Sequence, residues 1–288
     1  MPPRLGVLLA VLMWGVSFVA TKAVVTEIRP AALIFARALL GAGLLLALLA
    51  ARRRPLVPPR DAWRELFAMG FVGVAFHQML QAIALVSTSA VNTGWLIGLT
   101  PIWAALFSAV RLRERFPPGK LLGLLLGFAG AGLVVTRGRI HGLLGLPSTR
   151  GDLLILASTV NWAFYSSLGQ PLLRRIGPTL ATAGALACGT LQLLPLVVAT
   201  GAWRDYWRLS GTGWAALVFL GLGCSGLGYL FWYGGLRRIE LSRVAAFLYL
   251  EPLVTAAAAV FWLGEPLGPL TLAGGVLLLL GVAVVQRS

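Results

Sequence analysis

Two cysteines and two histidines are all that 288 residues contain of each, and Asp and Glu together number nine. Cys188 and Cys224 are too few for a disulfide framework, and neither they nor His77 and His141 show metal-ligand spacing, so no metal is expected. No G-x-x-x-x-G-K-[ST] phosphate loop occurs, since Gly119-Lys120 lacks the upstream glycine and the following Ser or Thr. ATP-driven pumping by this chain alone is thereby disfavoured, and no cofactor is expected. Acidic pairs of the kind a membrane-embedded transferase needs are missing too, because Asp61, Asp152 and Asp205 lie in or beside loops. Charge as a whole is sparse. Charged residues are 11% of the chain and hydrophobic ones 58%, where a soluble domain carries about 25% charged.

What the chain has in abundance is long apolar stretches. About 20 such residues span a ~30 Å hydrocarbon layer as a helix. The pattern is aliphatic and glycine-rich without alternation, which favours helices over a barrel. We predict an all-α integral membrane protein with ten transmembrane helices near 5–25, 31–51, 66–86, 91–110, 120–136, 152–170, 178–199, 213–235, 242–262 and 268–285. The first is expected to be retained, since no small-residue cleavage site follows it.

The net charge of +15 is a matter of topology. Sixteen Lys and Arg fall at the two termini and in the even-numbered loops, against seven in the odd-numbered loops, with Arg37 alone inside a span. The positive-inside rule then places both termini in the cytoplasm. Nucleic-acid binding needs its basic residues gathered on one face with stacking aromatics, and here they are scattered through short loops.

The chain also repeats itself. Residues 84–134 lie on 235–285 at a constant shift of 151, pairing Pro101 with Pro252, Glu114 with Glu265, Gly123 with Gly274 and Gly130 with Gly281. Gly70 falls on Gly221; upstream of the loop at 52–65 the shift is 148, pairing Trp14 with Trp162 and Pro30 with Pro178. The expected units are residues 1–147 and 148–288. Each holds five spans, an odd number, so the second must enter the membrane from the opposite face. Inverted repeats are a recurring plan for secondary transporters, with the solute site near the midplane between them.

Trp14-Gly15-x-x-Phe18-x-x-x-Lys22, Leu248-Tyr249-Leu250-Glu251-Pro252, Leu263-Gly264-Glu265-Pro266-Leu267 and the arginine at 37 together resemble EamA-type carriers of the drug/metabolite transporter superfamily, and point within it toward aromatic amino acid exporters. The resemblance implies a bacterial inner-membrane exporter of amino acids or related metabolites, with spans 1, 3, 4, 6, 8 and 9 around a central cavity. The alternatives are a multidrug exporter of lipophilic cations and, less favoured, a membrane enzyme or sensor. The expected partners are a small-molecule solute and the bilayer; a monomer is expected, with a dimer as the alternative.

Polar residues inside spans are costly and are candidates for function. Arg37 and Glu251 carry opposite charges at similar depth; either they pair or one meets a solute charge, while snorkelling to headgroups is the alternative for Arg37. His77 and Gln81 share a face of span 3, where an imidazole could carry a proton or bond a solute, or simply bond a neighbouring helix. Pro101 and Pro252 should kink spans 4 and 9 and leave the Ile97 and Leu248 carbonyls unpaired. Trp14, Ser17 and Phe18 on span 1, Asn92 and Trp95 on span 4, Trp162 and Tyr165 on span 6 and Tyr249 on span 9 are expected to wall an aromatic, amphipathic solute site. Trp203, Tyr206, Trp207 and Trp214 fit interface anchors instead.

Overall fold

The computed structural model of the chain describes residues 2–103, 106–107, 118–137, 147–236 and 247–287. Among them every regular element is helical. The helices are α1 (Pro3–Val25), α2 (Pro30–Ala51), α3 (Arg60–Ser87), α4 (Ala90–Ile97), α5 (Pro118–Thr136), α6 (Pro147–Ile176), α7 (Pro178–Ala199), α8 (Gly211–Gly235), α9 (Phe247–Leu263) and α10 (Pro269–Arg287). Seven of them, α1, α2, α3, α5, α7, α8 and α10, are long and apolar enough to cross a membrane. The other three fall short for separate reasons. α6 is long, but Asp152, Ser158, Thr159 and Asn161 lower its hydropathy, and all but Asn161 are buried. α9 runs only 17 residues, and α4 ends as an α-helix at Ile97. The far end of the expected span 91–110 and the start of 242–262 lie partly outside the described residues, as does Glu114.

The surface is rich in exposed large apolar side chains, and polar side chains are buried within an apolar core. Leu121, Leu122, Leu125 and Phe128 of α5 and Leu270, Val276 and Leu280 of α10 are exposed. Ser17, Thr21, His77, Gln78, Asn92, Asp152 and Ser225 are buried. Lipid imposes that distribution, since it solvates side chains of this kind and leaves polar groups to find partners inside the protein.

Helices meet through small residues, and the contacts come in reciprocal pairs. A Cβ on Gly123 would touch the Gly281 carbonyl, and one on Gly130 the Gly274 carbonyl. At the 151-residue shift, 281 is the counterpart of 130, and 274 of 123. One contact is therefore the image of the other, as across a two-fold axis. As the number rises along α5 it falls along α10, so the two helices run antiparallel. Gly70 of α3 meets the Ala185 carbonyl of α7, and its image Gly221 of α8 meets the Arg37 carbonyl of α2. Gly189 packs on Val74 while its image Gly41 packs on Ser225. These close approaches need the absence of a side chain, which is how membrane helices gain van der Waals contact without a hydrophobic drive between them.

Two features escaped the sequence. The middle of α3 (Gly70–Phe76) and the matching middle of α8 (Phe219–Gly228) are π-helical. A wider turn displaces a carbonyl from the helical ladder, and such bulges gather at functional sites. In each case a side chain of another helix reaches a carbonyl in the segment: Trp14 Nε1 of α1 donates to Cys224 O at 3.1 Å, and Asn161 Nδ2 of α6 donates to Val72 O at 2.9 Å. α1 thus braces α8, and α6 braces α3.

Of the aromatics assigned to the interface, Trp203, Trp207 and Trp214 are exposed. Tyr206 departs from that reading. Its hydroxyl donates to the Ala32 carbonyl at 2.7 Å, tying the loop after α7 to α2.

Candidate functional site

A cavity of about 510 Å³ opens between α1, α3, α6, α8, α9 and α10. Trp14, Ser17 and Phe18 line it from α1, because positions three and four apart share a helix face. His77 and Gln81 line it from α3, Trp162 and Tyr165 from α6, and Tyr249, Glu251 and Pro252 from α9; Arg37 reaches it from α2 and Pro101 from beyond the end of α4.

Aromatic rings form two groups. Trp14 packs against Tyr229 at 5.4 Å and Trp232 at 5.3 Å between centroids. Trp162 packs against His77 at 5.1 Å and Tyr165 at 5.3 Å. The two tryptophans are repeat counterparts, but their surroundings differ at one place. His77 stands beside Trp162, whereas its counterpart is Gly228, where a Cβ would lie 2.8 Å from Trp14 Nε1. Glycine at 228 lets the Trp14 indole into its bond with Cys224.

Several polar groups at the cavity lack protein partners. His77 Nδ1 and Gln78 Oε1 are buried without a hydrogen bond among the described residues. Gln81 Nε2 donates to Ser158 Oγ at 3.4 Å. Arg37 Nε donates to Ser225 Oγ at 3.0 Å, and no other hydrogen bond of its guanidinium occurs among the described residues. Glu251 stands at the first turn of the regular α-helix in α9, and its carboxylate accepts no hydrogen bond there.

Two expectations are corrected. Arg37 and Glu251 form no ion pair: they lie farther apart than the 4.0 Å such a pair requires, and the Arg37 side chain is turned to α8 instead. Asn92 and Trp95 do not line the cavity. Asn92 Nδ2 donates to the Asp152 carboxylate at 3.1 Å, and Trp95 is buried where Gly275 of α10 leaves room for its indole. They share the face of α4 turned to α6 and α10, and sequence spacing gives the shared face without saying which neighbour it meets.

Upstream of both prolines the regular α-helix is interrupted. α4 turns at Gly98 and Leu99, and the Ile97 carbonyl freed by Pro101 accepts from Thr100 Oγ1 at 2.8 Å. Ahead of Pro252 the chain is 3₁₀-helical from Phe247 to Tyr249 before α-helix resumes at Leu250. The sequence reading did not assign Gln78, Thr100, Ser166, Tyr229, Trp232 and Tyr233 to the site, though all line the cavity. The last three stand at i, i+3 and i+4 on α8, which was the available signal. Gln78 had the same kind of signal, standing three residues before Gln81 on the regular helix that follows the π-helical turn.

Toward one end of the bundle the junction of α3 and α4 is held together by bonds from α1, α6 and the turn after α9. Lys22 Nζ donates to the Leu85 and Thr88 carbonyls at 2.6 and 2.7 Å, placing a cation at the C-terminus of α3. The Glu265 carboxylate accepts from Ala90 N and Val91 N, both at 2.9 Å, and Ser89 Oγ accepts from Asn92 N. Three orphan donors of α4 are so satisfied, two of them from beyond α9. Gly264, at φ 62°, closes α9 in the left-handed conformation that favours glycine and turns the chain to deliver Glu265. Asp152 of α6 accepts from the Thr88 hydroxyl as well as from Asn92. At the other end the cavity reaches Leu173 and Gln286, close to the C-terminus.

The profile of the EamA-like transporter family matches this chain twice, over residues 2–136 and 149–287. An uncharacterized transporter of Archaeoglobus fulgidus is 32% identical over 274 residues, covering 95% of this chain and 93% of that protein. A probable terminal-alkyne amino-acid exporter of Streptantibioticus cattleyicolor is 31% identical over 218 residues, covering 76% of this chain and 71% of that protein. A solved crystal structure with 22% identity superposes at a TM-score of 0.67 over 99% of this chain and 96% of its own, a likeness of fold alone.

Proposed function

Since the chain belongs to the EamA-like transporter family, we propose that this multi-pass membrane protein is a secondary transporter of the bacterial inner membrane that exports amino acids, aromatic ones included, or related small metabolites by alternating access. The observation that carries this reading is the cavity itself. It holds about 510 Å³, within the range of small-molecule sites, and pairs aromatic walls with a few unpartnered polar groups. Similarity to a probable amino-acid exporter supports the solute class.

In this reading all ten helices cross the bilayer, as two inverted repeats over 1–147 and 148–288 with cytoplasmic termini. The reciprocal, antiparallel contact of α5 with α10 supports inversion, because an axis lying in the membrane plane turns a helix upside down whereas one along the normal leaves it parallel. Lys22, Asp152 and Glu265 then seal the outer end, while the cavity extends toward the cytoplasmic end at Gln286. Exchange of conformation between the two repeats would open the outer end and shut the inner one. The use of the glycine faces of α5 and α10 against each other supports a monomer.

The unpartnered Glu251 among aromatics favours a second reading, export of lipophilic cations. Counterflow into proteoliposomes across the amino acids and a set of cationic dyes separates the two. Uptake of amino acids is the expected result; uptake of dyes alone selects the second reading, and uptake of neither sinks both.

A further inference from the structure

The two repeats offer an internal control for what the scaffold itself requires. Ala185 and Val74 occupy in one interface the places that Arg37 and Ser225 occupy in its image, and the interface without the charge and the hydroxyl is at least as close. Packing there needs no charge and no hydroxyl. Thr100 likewise stands where Glu251 does, and it is satisfied by its own helix. The guanidinium and the carboxylate are therefore departures from a fold that is complete without them.

Both departures face the same cavity. A charge withdrawn from water costs several kcal/mol unless it is paired, yet neither finds an opposite charge among the described residues. Arg37 spends Nε on Ser225 and leaves its two Nη groups free to donate, the fork that matches a carboxylate. Arg37 reaches the cavity from α2 and Glu251 from α9, and Trp14 and Tyr229 line the same cavity. Trp14, packed on Tyr229, supplies an apolar wall there.

We propose that Arg37 and Glu251 form a two-point clamp for a zwitterion, Arg37 with Ser225 holding the solute's carboxylate and Glu251 its ammonium group, with an apolar side chain laid on Trp14 and Tyr229. The proposal rests on the reading of this cavity as a solute site and narrows it to solutes carrying both charges. A lipophilic cation would use Glu251 and leave Arg37 facing it as a repulsive charge, so the clamp selects against that class as well as for its own.

Binding of phenylalanine, leucine and serine to the purified full chain in detergent tests this directly, each amino acid compared with its carboxamide, which lacks the anion, and its N-acetyl form, which lacks the cation. Wild type is expected to bind the amino acids with an apolar side chain and to bind both derivatives about tenfold or more weaker, the discrimination a charge-assisted hydrogen bond supplies. Arg37→Gln should erase the preference over the carboxamide alone, and Glu251→Gln the preference over the N-acetyl form alone. Arg37→Lys should keep part of the first preference, having the charge without the fork. Equal binding of carboxamide and amino acid by wild type overturns the clamp, as does binding of none of the three. Should the variants fail to fold, the wild-type comparison still decides. The expected binding pattern without counterflow would count against transport and leave the clamp standing; counterflow of phenylalanine unaffected in either variant would do the opposite.

Discussion

Among the described residues, Arg29 is the most heavily engaged side chain outside the membrane-spanning segments. Its Nε and Nη2 grip the Asp205 carboxylate at 2.7 and 2.8 Å, Nη1 and Nη2 reach the Thr200 and Gly201 carbonyls, and its own amide also donates to Asp205. The side-chain hydrogen bond from Arg29 holds the Asp205 carboxyl below its ordinary value of 3.8. A depressed value in the folded state means the stabilisation is complete above the unfolded value and is lost as pH falls through the folded one. Asp205→Asn should therefore lower the midpoint of thermal unfolding at neutral pH, with the gap to wild type closing below pH 3.8. A gap that stays constant across that range would show that the carboxylate's charge is not what ties this loop to α2. At the same scale Arg37 shows where sequence reading stops. Its charge and depth are visible in the chain, but the choice of Ser225 over Glu251 as partner depends on how α2 is rotated against α8.

At the scale of the helices, glycine does two different jobs. Gly130 sits where a Cβ would lie 2.5 Å from both Gly274 O and Leu278 N, while Gly132, two residues on, has open space. Overpacking a tight contact costs about 1–3 kcal/mol. Gly130→Val is expected to destabilise the protein by that amount in detergent, measured by thermal unfolding, and Gly132→Val to leave it nearly unchanged. Equal effects would mean that helix propensity, and not the α5–α10 contact, sets the cost. The two π-helical segments are the other lesson of this scale. Glycine at 70, 73, 221, 223, 226 and 228 is plain in the sequence, but a carbonyl displaced by a π turn still needs a hydrogen-bond partner. Trp14 and Asn161 each supply one from far away in the chain.

For the whole molecule, the proposed cycle makes the junction of α3 and α4 the outer seal that distinguishes one state from another. A hydrogen bond to a charged group contributes about 1.5–3 kcal/mol, and Glu265 makes two across the seal. Removing them should favour the outward-open state by about tenfold or more. In Glu265→Ala, a cysteine placed at Ser17 should react faster by that factor with a membrane-impermeant maleimide added from outside. The two native cysteines are buried and leave the background low. An unchanged rate would mean the junction of α3 and α4 stays shut without Glu265.

The sequence by itself determined the solvent and the symmetry. A chain with so few charges and such long apolar runs has to live in lipid, because only there is its surface solvated. A fixed shift between matched residues marks two copies, and an odd number of expected spans in each leads to the inversion proposed above. Of the fourteen residues singled out for the site, twelve face the cavity, since intramembrane polar and aromatic residues well inside a span have few other places to go. Asn92 and Trp95 do not, because a helix face has a direction only once its neighbours are in place. Tertiary structure alone decided the π-helical turns, the delivery of Glu265 to the N-terminus of α4, and the separation of Arg37 from Glu251. Each joins groups far apart in the chain, and local spacing records which residues share a helix face but not what stands opposite.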